Sequence, residues 1–254
     1  MTSKRHREIL AMAARDGEVS VDALARRFGV SVMTIRRDLT RLAREGKVSR
    51  THGGALPARA AVLDLAYEEK ARRRAGEKRA IARAVAEMIR PGMAISLDTG
   101  TTTLEVARAI SHMEDLTVLT TSLVIAFVLR NSEGIEPVLL GGAVRKNSPD
   151  LTGELTEDNI KRFHVHLAVL GADAVKPDGV YTTDARIARV SRAMIVNADQ
   201  VVLAADSSKF MQTAFVRCVG LNDLDRIVTD DGCPQKVRRW IERSVKTVTY
   251  ARVE

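Results

Sequence analysis

At 254 residues, with 45% apolar and 28% charged residues, the chain has a globular composition and is long enough for two domains with a sizeable core. No apolar run approaches the ~20 residues of a membrane helix, the start MTSKRHREIL lacks the apolar centre of a secretory signal, and two cysteines make neither a disulfide framework nor a metal cluster. The expectation is a cytoplasmic protein with no membrane partner, no cofactor and no metal. Its net charge of +8 is uneven, since residues 1–56 hold twelve Lys/Arg against six Asp/Glu, which points to an anionic partner for that end of the chain.

Lys4 to Arg15 reads as a helix with Ile9, Leu10 and Ala13 inward and Asp16-Gly17 as its stop. Ser20 is placed to cap a second helix with Leu24, Ala25 and Phe28 inward. Gly29 permits a tight turn, and Ser31 is placed to cap a third helix. In that third helix Val32, Ile35, Leu39 and Leu42 define one buried stripe. Met33, Arg37, Thr40, Arg41 and Arg44 fall on the far side, with Thr34 and Arg36 at the flanks. This is helix–turn–helix spacing. The following KVSRTHGGAL alternates and is broken by Gly53-Gly54, as a β-hairpin wing would be.

An exposed helix bearing arginines is sized for the DNA major groove, where guanidinium forks bind guanine edges or phosphate oxygens. Ser31, Met33, Thr34, Arg36 and Arg37 lie near the helix start and are the candidates for base contact. Arg41 and Arg44 lie further along and suit phosphates or stay in solvent, while Arg50 and His52 on the wing suit the backbone or minor groove. The expected partner is a double-stranded DNA operator. The run VSVMTIRRDLTRLAREGKVSRTHGGAL resembles the N-terminal signature of the DeoR family of bacterial transcriptional regulators, its TIRRDL core followed by RTHGGA being the specific part.

Pro57 to Ala66 is Ala-rich with little periodicity and reads as linker; Tyr67 to Ala75, with EEKARRR, fits a charged strand or a helix start. The expected division is a DNA-binding domain at 1–56, a linker at 57–75 and a second domain at 76–254. From Glu77 a helix carries Ile81, Val85, Met88 and Ile89 inward until Pro91-Gly92. Strands then follow at 93–97, 116–121, 136–141, 165–171, 200–206, 226–230 and 247–250. Helices fall between them at 102–112, 123–129, 154–162, 185–197 and 234–243. The apolar continuity of the strands fits a doubly wound, mostly parallel α/β sheet covered on both faces.

Such sheets bind ligands at the carboxyl ends of their strands. There stand Asp98-Thr99-Gly100-Thr101-Thr102-Thr103 running into a helix, Thr121-Ser122, Gly141-Gly142 with Arg145, Gly171-Ala172-Asp173, and Asp206 with Ser208 and Lys209. Threonine hydroxyls and the free N–H groups of a helix start suit a phosphate, and Lys209 supplies a cation. DTGTTT, LLGG with its following arginine, and DSSKF resemble the C-terminal sensor domain of the DeoR family.

That resemblance implies a fold related to ribose phosphate isomerases, a phosphorylated sugar or related metabolite as effector, and homo-oligomers. It also implies Asp98, Gly100, Thr101, Thr102, Thr103, Lys209 and Arg145 as pocket residues. The chain departs from the family pattern at Thr121, His166, Ile187 and Ser191, which bears on effector identity. The leading function is therefore a metabolite-controlled, sequence-specific transcriptional regulator, a repressor, without enzymatic activity. The alternative is a sugar-phosphate isomerase-like enzyme with an accessory DNA-binding module, using Asp98 or Asp206 as general base.

Overall fold

The computed structural model describes residues 2–45, 47–57, 65–145 and 148–254. Residues 58–64 of the expected linker lie outside them. The chain divides into two compact units, Met1–Glu68 and Glu69–Glu254.

In the first unit, α1 (Thr2–Asp16), α2 (Val21–Phe28) and α3 (Val32–Arg44) precede a wing of β2 (Val48–Arg50) and β3 (Gly54–Pro57). Strand β1 (Val19–Ser20) joins the far edge of β3, so all pairs are antiparallel in the order β1-β3-β2. Ser20 Oγ accepts from Ala23 N and Ser31 Oγ from Thr34 N, as the capping residues require. Between those helices Gly29 takes a left-handed φ of 61°, which lets α2 end and the chain reverse within two residues.

The core joins Ile9 and Ala13 of α1, Leu24 of α2, Ile35, Leu39 and Leu42 of α3, and Val48 and Ala55 of the wing. One expectation is corrected here. Val32 is 38% exposed, and the fourth member of the buried stripe is Asp38. Val32 stands in the first turn of α3, whereas Asp38 shares the inward face with Ile35 and Leu42. Its charge is met there by Arg5 Nε at 2.6 Å and His6 Nε2 at 3.0 Å.

The second unit begins with the end of α4 (Leu65–Arg72) and with α5 (Ala75–Ala86), so the EEKARRR segment is neither a strand nor a helix start but the end of α4 followed by a turn at Arg73 and Arg74. Its seven-stranded sheet runs β15-β14-β12-β9-β4-β5-β6, with every neighbour parallel. These strands are β4 (Ala94–Leu97), β5 (Leu116–Thr120), β6 (Ile135–Leu139), β9 (Val165–Leu170), β12 (Ala198–Ala204), β14 (Arg226–Asp230) and β15 (Thr247–Ala251). The connecting helices are α6 (Thr101–Ile110), α7 (Leu123–Leu129), α8 (Glu154–Ile160), α9 (Ala185–Val196) and α10 (Gln235–Ser244).

The sheet starts at β4, grows outward through β5 and β6, then returns to β4's other side for β9 and grows the opposite way. That reversal makes the β4–β9 boundary the topological switch point, where the two crossovers part and leave a crevice. Sequence periodicity did not reveal the antiparallel trio β10 (Ala174–Lys176), β11 (Gly179–Thr182) and β13 (Val216–Val219), nor the β7 (Ala143–Val144) and β8 (Leu151–Thr152) pair. These strands are only two to four residues long, too short for alternation to register.

Candidate DNA interface and effector site

Met33, Arg36, Arg37, Thr40, Arg41 and Arg44 line one open face of the first unit. Arg36, Arg37 and Arg44 are exposed and have no ion-pair partner among the described residues. Arg41 pairs with Glu45 at 3.1 Å, four residues on, a surface contact of little energetic weight. Ser31 Oγ is shared between the Thr34 amide and the Thr34 hydroxyl at 2.9 Å, so these two sequence candidates also hold the helix start. Arg50 is turned onto α3, donating to the Arg36 carbonyl at 3.0 Å and Thr40 Oγ1 at 3.1 Å, while His52 stands exposed at the wing tip.

Underneath, Asp38 fixes the pose of α3. Burial works to raise its carboxyl, but the bonds from Arg5 and His6 prevail and hold it below the usual carboxylate range. The sequence reading missed this residue. A charged side chain three residues after one stripe member and four before another was the available signal.

In the second unit, the switch point carries Asp98. It is 3% exposed and takes the Thr99 amide at 2.7 Å and the Gly171 amide at 3.2 Å, tying the end of β4 to that of β9. Burial pushes its carboxyl up to about 7, against the pull of those two amides. Directly after it, Gly100 leads into α6, and Thr103 Oγ1 closes the turn on the Gly100 carbonyl at 3.1 Å. Thr102 and Thr103 are buried, Thr101 half-buried.

On the β12 side, Asp206 caps a short 3-10 turn (Ser207–Met211) by accepting from Ser208 N at 3.1 Å and Ser208 Oγ at 2.5 Å. Lys209 in that turn is half-buried; its backbone N–H donates to the Asp206 carbonyl at 2.9 Å, and its ammonium has no hydrogen-bond partner among the described residues. Desolvation lowers its ammonium from the usual lysine value, and Asp206 partly offsets this.

The β5 and β6 side is more structural. Ser122 caps α7 by accepting from Ile125 N at 3.2 Å. Gly141 gives its carbonyl to Thr156 Oγ1 at 2.8 Å. At Gly142, with φ at 120°, a Cβ would lie 1.9 Å from Thr156 Oγ1. Arg145 grips Asp150 through two bonds of 2.5 and 2.7 Å and reaches Asp184 at 3.1 Å. Its guanidinium is thus already met by two carboxylates. Thr121 Oγ1 and Ser96 Oγ are buried without partners among the described residues and line one small cavity with Met194 and Asn197.

Two further groups stand close by, Asp173, already among the strand-end residues of the sequence reading, and Lys78, which that reading missed. Asp173, after β9, accepts from Lys70 Nζ at 2.8 Å and from Thr183 N at 3.0 Å. Burial would raise its carboxyl, but Lys70 and Thr183 hold it down to about 2. Lys78 in α5 is 3% exposed and falls to about 8, desolvation outweighing the attraction of Asp206. It precedes Ile81 and Val85 on the same helical stripe, again a charge among apolar positions. Of the positions departing from the family pattern, His166 accepts from Ala94 N at 3.0 Å at the amino ends of β4 and β9, remote from the strand ends that carry the candidate site. Ile187 and Ser191 are buried in α9, where Ser191 Oγ bonds the Ile187 carbonyl.

The DeoR C terminal sensor domain matches residues 73–231, and the DeoR-like helix-turn-helix domain matches residues 5–59. The chain belongs to the DeoR family. Similar proteins include the glycerol-3-phosphate regulon repressor of Escherichia coli K12, 35% identical over 92% of this chain and 93% of that one. The HTH-type transcriptional repressor CsqR of the same strain is 31% identical over 94% and 92%, and the regulator GlpR of Haloferax volcanii 33% over 98% and 97%. Among solved structures, ribose 5 phosphate isomerase A from Neisseria gonorrhoeae matches 55% of this chain and 54% of its own at 17% identity and a TM-score of 0.39.

This DeoR-family chain is accordingly a DNA-binding transcriptional regulator with a sensor domain, and the enzyme alternative gives way to that reading. No described helix is long and apolar enough to cross a membrane.

Proposed function

We propose that this protein represses transcription by placing α3 in the major groove of an operator, and that a phosphorylated sugar or related metabolite at the carboxyl ends of β4, β9 and β12 sets its operator affinity. The observation that carries the first part is the row Met33, Arg36, Arg37, Thr40, Arg41 and Arg44 on one open face. Ser31, Met33, Thr34, Arg36 and Arg37 are the proposed base-reading residues. Arg41, Arg50 and His52 are the proposed backbone contacts, Arg50 swinging off α3 to reach DNA. The proposed functional limits are 1–56 for DNA binding and 76–254 for sensing and self-association, joined by 57–75. A homo-oligomer in the cytoplasm would read half-sites spaced by whole helical turns.

For the effector, the supporting observation is a half-buried ammonium without a side-chain hydrogen bond among the described residues, Lys209, in the turn after β12 with Asp206 near it, while the Asp98–Thr103 turn and Gly171 follow β4 and β9 of the same sheet. Thr121, Ser122, Gly141, Gly142 and Arg145 form the other wall, mainly as its scaffold. An anion at Lys209 gains a charge-assisted bond.

The test is operator titration with and without metabolites, preceded by a thermal-shift screen of phosphorylated sugars. A specific ligand at ~100 times its dissociation constant stabilises the fold by about 2.7 kcal/mol and changes operator affinity. Absence of binding to the protein's own promoter region at modest ionic strength refutes the DNA reading. Absence of any shift across the screen refutes the effector reading.

A further inference from the structure

The segment EEKARRRAGEK joins the two compact units, and neither the DNA face nor the sensor's own fold accounts for its charges. α4 ends at Arg72, and a helix end leaves its last carbonyls without intrahelical partners. The carbonyls of Lys70 and Arg73 are instead taken by one side chain, since Lys78 Nζ donates to both, at 2.7 Å to Arg73. The same segment is pinned twice more. Lys70 Nζ meets Asp173, and Arg74 reaches Ser207 Oγ at 3.4 Å and approaches Asp206 within 3.8 Å. To do so Arg74 adopts a left-handed backbone with φ at 52°, unfavourable for a residue with a side chain. The two outer pins land on the loops after β9 and β12, and the second of these loops carries Lys209.

We propose that residues 70–78 form a strap that an anionic effector group releases: a phosphate monoester seated at Lys209 draws the Lys78 ammonium away from the Lys70 and Arg73 carbonyls and frees the end of α4, which continues into the DNA-binding unit's chain. This inference rests on the reading of the effector as a phosphorylated metabolite. In the field of Lys78 stand the carboxylates of Asp206 and Glu105 and the ammoniums of Lys209 and Lys70, Lys70 being already paired with Asp173, so a phosphate at Lys209 adds a further anionic partner for Lys78. In the strapped state the Lys78 ammonium is held by two neutral carbonyls. A phosphate offers it charge-assisted bonds roughly twice as strong as neutral ones. The ligand shifts the strap only by its unequal affinity for the held and released forms, and this exchange of partners is the source of that inequality.

The experiment is amide hydrogen exchange on the full chain, with inorganic phosphate and a panel of triose, pentose and hexose phosphates, thermal shift reporting binding in parallel. The expected result is that a bound phosphate ester speeds exchange at residues 67–74 about tenfold. Lys78→Met is expected to exchange fast there without ligand and to show no further response. Lys70→Ala, which removes one exposed side chain, is the milder variant should Lys78→Met fail to fold, and it is expected to loosen the same amides partway. Binding with unchanged exchange at 67–74 overturns the strap and leaves the effector reading standing, as does a Lys70→Ala chain indistinguishable from the parent. No binding by any probe overturns the effector reading, and the strap with it.

Discussion

Positive charge gathers in two places, and in opposite ways. On α3 the guanidiniums of Arg36, Arg37 and Arg44 stand in solvent without ion-pair partners among the described residues. At the carboxyl edge of the seven-stranded sheet, Lys70, Lys78, Arg145 and Lys209 are woven among Asp150, Asp173, Asp184 and Asp206. Exposed, fully hydrated cations suit a long polyanion whose phosphates they neutralise together, with released counterions driving association. Here Arg145 and Lys70 are already countered by carboxylates, and the Lys209 ammonium is left without a hydrogen-bond partner among the described residues, an arrangement that suits a small anion. On the proposed reading, the difference is between a surface that attracts and a site that selects.

That contrast can be broken or sharpened experimentally. The largest effect is expected for Gly142→Ala, where a positive φ and a Cβ 1.9 Å from Thr156 Oγ1 destabilise the second unit by about 3 kcal/mol or more, read as a lowered unfolding midpoint. If the unit keeps its stability and only loses ligand, Gly142 belongs to the selecting site rather than to its scaffold.

Next is Asp98→Asn. The folded carboxyl at about 7 lies above an unfolded value of about 4, so the folded state holds the proton more tightly. The parent's stability is therefore fullest below about pH 4 with respect to this group and falls as pH rises toward 7. Denaturant titrations across that window are expected to show a flatter dependence for the variant. An unchanged slope shows that Asp98 is already ionised in the fold.

Arg37→Ala is expected to lower discrimination between operator and random DNA by about 1–3 kcal/mol, measured as a ratio of affinities. Equal losses on both DNAs make Arg37 a phosphate contact instead. Smallest is Arg44→Ala, expected to weaken both DNAs alike and to lower the salt slope of binding by about one, with the second unit untouched. A specific loss there would extend base reading further along α3 than its start.

Much of the architecture was readable because it is local. Ser20, Gly29 and Ser31 announce the caps and turn of the first unit, and the Leu123–Leu129 helix and Arg226–Asp230 strand follow from short-range pattern alone. The candidate effector residues were found as strand-end residues, and the structure sets them at the carboxyl ends of adjacent parallel strands. What pattern could not supply was their division of labour. The family resemblance implies Arg145 as a pocket residue, yet Asp150 and Asp184 hold it, and neither partner carries a local sign of that bond. Asp38 and Lys78 did carry a sign, a charge standing on an apolar stripe, but the partners of Asp38 lie more than thirty residues back, and those of Lys78 are backbone carbonyls, which no side-chain pattern reveals.

The sequence by itself determined which segments coil or extend, that an arginine row faces outward, and which loops end the strands, since each depends on spacing within a dozen residues. Only the tertiary structure decided which charges are free and which are held. Whether a guanidinium or ammonium has a counter-charge beside it depends on how the chain folds back, over 103 residues for Lys70 and Asp173 and over five for Arg145 and Asp150, and burial then fixes how much that charge weighs.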